Sequence, residues 1–236
     1  MKTKDKKKHR RKWWFRCIKK VMKVRYKKPT FIYLGEEISS GSVVLSNHEG
    51  TDAPMSFEIY CDKPIRFWGS YEMNSGLKKM YKYQSEVYYH QKKKWNLFGA
   101  KMFCLIASPL TNLFYKGLNL ISTYPDSRFR TTLKESLDAV KNGENIVIFP
   151  EKSSNGYKPV LEGFLGGFAL FGEVCRKNQI DLPIFVAYFN KDKKVYLIDK
   201  PIYYSELANK FKTNEEMSKY LCDRCNELGK IILEKY

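Results

Sequence analysis

The stretch Ser42-Val43-Val44-Leu45-Ser46-Asn47-His48-Glu49-Gly50-Thr51-Asp52 decides how this chain reads. Val43–Leu45 is a short aliphatic run of the kind that forms a buried strand. It feeds into a polar loop, and Ala53–Tyr60 then suits a helix that opens at or near Asp52. Asp52 follows His48 by four residues, and a carboxylate there can orient an imidazole and support the charge it gains as a general base. A histidine after a strand is also a common loop residue bonded to backbone, so the pair needs context. The chain has three histidines, and His9 sits in a lysine run, which leaves His48 the best candidate for proton chemistry.

Outward from this stretch, strand and helix signals alternate. Ile65–Trp68, Leu118–Thr123, Asn145–Phe149, Leu182–Phe189 and Val195–Ile198 read as strands. Residues 77–115 read as mainly helical, with the uncharged run Met102–Tyr115 broken near Pro109. Phe129, Leu133, Leu137 and Val140 recur at helical spacing, and Gly143 follows as a C-terminal cap. A helix is expected from about Glu162 to Lys177, and a last one opens on the capping box Thr213 to Glu216. The pattern predicts an α/β fold, a central mixed and largely parallel sheet covered by helices. Asn47-His48 and Pro150-Glu151 both follow predicted strands directly, so the two polar clusters are expected at one sheet edge.

The formal charge of +18 is unevenly spread. Residues 1–28 hold 11 Lys and 4 Arg against Asp5 alone, a net +14, and residues 29–236 carry the remaining +4. The basic run is also aromatic, with Trp13, Trp14 and Phe15 inside it. On a helical projection Trp14, Ile18, Val21 and Met22 share one face, opposite Lys12, Arg16, Lys19 and Lys23. Residues 1–28 are therefore expected to form a basic amphipathic helix on an anionic membrane surface, beside an α/β domain over 29–236. A solvated flexible tail and a nucleic-acid-binding arm are the alternatives. The near-balanced charge of the body argues against nucleic acid as the partner.

No signal peptide is expected, and no segment reaches the ~18 uncharged apolar residues that a spanning helix needs. The six cysteines are scattered, and Cys222-x-x-Cys225 alone lacks a second ligand pair for a metal. Reduced thiols on a helix face are expected, with no metal site. The glycine-rich Glu162–Phe168 lacks the Gly-Lys-Ser/Thr ending of a phosphate loop, and its apolar neighbours suggest close helix packing or an apolar wall.

With these blocks in hand, residues 40–205 resemble the PlsC-like glycerolipid acyltransferase family, typified by 1-acylglycerol-3-phosphate acyltransferase. Ser46-Asn47-His48 with Asp52 resembles its first block, Gly117–Ser122 its second, and Ile146–Glu151 its third. Leu182-Pro183-Ile184 and Lys200-Pro201-Ile202 resemble the fourth. Three residues separate His48 from Asp52 where the family has four, and the third block continues Lys152-Ser153-Ser154 in place of Gly-Thr-Arg. Thr123 aligns with the family's phosphate-contacting arginine, a role that Arg128 or Arg130 could take from the following turn.

The resemblance implies transfer of a fatty acyl group to the hydroxyl of lysophosphatidic acid or a related lysolipid. The donor would be acyl-CoA or acyl carrier protein, with no other cofactor. It implies His48 as general base, Asp52 as its orienting acid, and Asn47, Arg128, Glu151, Lys152 and Ser153 as acceptor-site residues. The implied location is peripheral, on the cytoplasmic face of a membrane. A non-catalytic lipid-binding relative with the same fold is the competing reading.

Overall fold

The computed structural model describes residues 11–152 and 158–236. In chain order the elements are α1 (Trp13–Arg25), β1 (Thr30–Tyr33), β2 (Val43–Ser46), α2 (Asp52–Tyr60), β3 (Ile65–Ser70) and α3 (Leu77–Lys82). A π-wound stretch (Tyr83–Lys92) leads into α4 (Leu97–Leu118), β4 (Ile121–Thr123), α5 (Phe129–Lys141) and β5 (Asn145–Ile148). The chain ends with α6 (Gly167–Lys177), β6 (Pro183–Asn190), β7 (Val195–Ile198), β8 (Ile202–Tyr203), α7 (Tyr204–Lys210) and α8 (Asn214–Lys235).

The strands form one eight-stranded sheet in the order β1-β7-β6-β2-β5-β3-β4, with β8 beside β6. Pairings with β6 by β7 and β8 are antiparallel, and the other described pairings are parallel. Successive side chains point to opposite faces of a strand. Val43 and Leu45 therefore join one core, against α5, α6 and α8, while Val44 joins the other, against α1, α2 and the end of α4. Both faces of the central strands are covered, which is why β2, β5 and most of β6 are apolar without alternation. The expected α/β architecture is present.

Several local expectations are corrected. Helix α4 runs unbroken through Pro109. Pro109 and Leu105, whose carbonyl loses its partner, are both exposed, so neither the ring nor the freed carbonyl disrupts packing. The strand expected from Leu118 starts only at Ile121, because Leu118 ends α4 and Asn119 takes a left-handed cap at φ 52°. Helix α6 starts at Gly167 and not near Glu162. Residues 163–165 are held back by Lys152 N–H to Gly163 O at 2.9 Å and Leu165 N–H to Pro150 O at 2.7 Å. Strands β1 and β8 and helix α7 were too short to show a period.

The N-terminal helix also differs from its expected setting. Phe15 is wholly buried, and Trp14, Ile18 and Met22 pack on the same core, so most of this apolar face meets protein, while Val21 stays exposed. Lys19, expected on the free polar face, donates to the buried carboxylate of Glu58 at 3.1 Å. Arg11 reaches the same carboxylate at 2.8 Å. Helix α1 thus packs on the α/β core through its apolar residues and through Glu58.

Candidate active site

Strands β2 and β5 lie side by side and parallel, with Leu45 opposite Ile148. The residues that leave these strands must therefore emerge at one edge. His48 N–H donates to Glu151 Oε2 at 3.0 Å, which joins the two clusters directly. Glu151 is 8% exposed, and burial raises its carboxyl above the ordinary 4.5. Hydrogen bonds from the backbone of His48 and Lys158 oppose that rise. Its buried carboxylate accordingly braces the loop that carries His48.

Asn47 is consumed by structure. Its amide nitrogen donates to Phe189 O at 2.9 Å and its oxygen accepts from Phe189 N–H at 2.7 Å. This two-point splice joins the end of β2 to β6 and leaves the buried amide facing backbone. The expectation that Asn47 contacts an acceptor is replaced by a positioning role.

After His48 the chain turns through two left-handed residues, Glu49 at φ 40° and Gly50 at φ 65°. Gly50 has open space around it, so the backbone conformation and not crowding favours glycine there. The turn closes with Asp52 N–H donating to Glu49 O at 3.2 Å and starts α2. Buried Tyr196 fixes the first turn of α2 by donating to Ala53 O at 3.0 Å. The Asp52 carboxylate lies 3.0 Å from Lys191 Nζ and 3.7 Å from Arg25. Partial burial raises the Glu49 carboxyl, with Lys191 opposing the shift.

The imidazole of His48 sits 5.2 Å from the Phe149 ring, centroid to centroid, and lines a cavity of about 760 Å³. Its walls are largely apolar, with Met55, Phe67, Trp68, Phe114 and Phe168 drawn from four elements. A cavity of this size and character suits a ligand with a large apolar part and few polar groups. Tyr71 and Tyr124 also line it and stack on each other at 5.3 Å. The Arg128 guanidinium covers both rings, 4.6 Å from Tyr124 and 5.1 Å from Tyr71. Asp126 holds it at 2.7 Å, and that pairing brings the Asp126 carboxyl down to about 2. Arg128 is therefore an oriented cation beside the cavity.

No family model and no curated protein matches this chain. The site must be read from its own geometry.

Lys152 does not join His48. Its side chain runs along Gly163 and lines a separate pocket of about 410 Å³ with Ser218 and Lys219. The turn of Pro150 and Glu151 back onto residues 163–165 sends the next side chain to the other side. Ser153 lies outside the described residues. Among the described residues no group of three or more His, Cys, Asp or Glu could hold a metal ion. Cys222 and Cys225 are buried on α8, where Cys225 Sγ lies 3.2 Å from Ala187 O. Burial raises both thiols.

Sequence reasoning missed Glu49, Lys191 and the tyrosine pair. Glu49 adjoins the histidine and could have been weighed as a third acid. Lys191, in the turn after β6, carries no sequence signal that ties it to Asp52.

Proposed function

We propose that the protein is an acyltransferase that moves a fatty acyl group from a thioester to the hydroxyl of a lysolipid. The observation that carries this reading is His48 at the wall of a large apolar cavity. The acyl chain would occupy that cavity, with its thioester carbonyl near the imidazole. His48 takes the proton from the acceptor hydroxyl as its oxygen attacks the carbonyl carbon. The tetrahedral intermediate collapses with cleavage of the C–S bond, and the imidazolium returns its proton to the departing thiolate. Asp52, steadied by Lys191 and Arg25, is the acid assigned to orient the ring.

Glu151 braces the His48 backbone, and Arg128 is the cation assigned to the acceptor's phosphate. The donor is acyl-CoA or acyl carrier protein, and lysophosphatidic acid is the first acceptor to test. We assign the place of action to an anionic membrane surface on its cytoplasmic face. The exposed Lys12, Arg16, Lys20 and Lys23 of the N-terminal segment supply attraction there.

The test is a transfer assay with acyl-CoA and lysophosphatidic acid on wild type and His48→Ala. Turnover should fall about 10²–10⁴-fold in the variant with its melting temperature unchanged. Wild-type rates in folded His48→Ala would reject the general base. Fatty-acid binding by a wild type that transfers to no acceptor would favour the non-catalytic lipid-binding relative, which the same apolar cavity serves.

A further inference from the structure

From Phe98 to Leu113, helix α4 turns its large apolar side chains away from the protein. Phe98, Met102, Leu105, Ile106, Leu110 and Leu113 are all exposed, Phe98 and Ile106 to 75%. Their spacing follows the helical repeat, so they form one continuous stripe. The opposite face is built of small residues, Ala100, Cys104 and Ser108, each fully buried. Burial in water would favour the reverse arrangement, because each large apolar side chain contributes about 1.5–3 kcal/mol when removed from solvent. A contiguous exposed stripe of this kind marks a surface that meets something apolar.

The same region is cationic. No Asp or Glu occurs between Glu86 and Asp126, whereas Lys93, Lys94, Lys101 and Lys116 lie in or beside α4. Across the end of the helix, α1 adds exposed Trp13, Val21 and Val24 among the basic residues Lys20 and Lys23. The two helices meet where the Phe15 ring packs on Phe114 at 5.4 Å and covers Gly117. The Gly117 position leaves no room for a Cβ, which would lie 2.0 Å from that ring.

By length and composition α4 could cross a bilayer. Its packing argues for another mode. Ser108 Oγ donates to Gln84 Oε1 at 2.7 Å, and Tyr81 OH donates to Lys101 O at 3.3 Å. Phe103 packs on Tyr89 at 5.1 Å, and Phe114, Tyr115 and Leu118 line the cavity. Crossing would strip the helix from all of these partners.

We infer that α4 lies in the plane of an anionic phospholipid bilayer, with its apolar stripe among the acyl chains and its lysines at the headgroups. This arrangement has the physics of an interfacial helix, in which buried apolar area and charge attraction add. The inference stands without acyl transfer, since it concerns only which surface meets lipid.

Flotation of the full chain with phosphatidylcholine vesicles, with and without phosphatidylglycerol, tests it. Ile106→Glu should lower the partition coefficient about tenfold or more. Leu233→Glu, the same charge change at an exposed aliphatic residue on α8, should leave it unchanged. If Ile106→Glu melts early, the pair Phe98→Ser and Leu110→Ser decides by the same readout. Undiminished flotation of a folded stripe variant would overturn the inference. So would a wild type that ignores vesicles and self-associates through this face, which would make a second copy the occupant.

Discussion

Helices α1 and α4 have apolar faces of similar quality and opposite fates. On α1 the apolar face points inward, with Phe15 in the core and Lys19 and Arg11 paired to buried Glu58. On α4 the large apolar side chains from Phe98 to Leu113 point outward, and small residues form the seam there. The helix that composition marked as a surface seeker is an integral part of the body. The helix that carries the uncharged run Met102–Tyr115 exposes its apolar stripe. Amphipathic spacing tells which residues share a face and leaves open what that face meets.

The sharpest way to break this contrast is truncation of the two phenylalanines. Phe15→Ala should destabilise the fold by about 3–5 kcal/mol, because the ring is fully buried and its loss leaves a cavity. Phe98→Ala on α4 should stay within about 0.5 kcal/mol in the absence of lipid. Chemical denaturation of both variants measures the difference, and equal losses would mean that one of the two helices is oriented otherwise.

A smaller effect is expected at the charged side of α1. Glu58→Ala removes the partner of Arg11 and Lys19, and those cations keep some access to water. A loss of about 1–3 kcal/mol is expected, and added salt should leave most of it in place because the carboxylate is buried. If wild-type stability is instead fully retained, Arg11 and Lys19 do not anchor the N-terminal helix.

The smallest effect extends the contrast between inside and outside to a carboxylate. Burial raises the folded-state pKa of Glu151, so the protonated form suits the fold and ionisation costs stability as pH rises through that value. Glu151→Gln should therefore melt higher than wild type at neutral pH. The gap should close as pH falls below the ordinary carboxyl value of 4.5. A gap that grows on acidification would show that the charged form is the one favoured by its surroundings.

The sequence alone determined the α/β class, because short aliphatic runs and helical spacing are local properties of the chain. It also brought His48 and Glu151 to one sheet edge, since both follow strands that became the parallel neighbours β2 and β5. The capping box at Thr213 was legible for the same local reason. Tertiary structure alone decided that Asn47 splices β2 to β6, that Lys152 turns to a separate pocket, and that Lys191 meets Asp52. It also decided which way α1 and α4 face. These outcomes depend on contacts between residues distant along the chain, and spacing along one helix carries no information about the surface that will cover it.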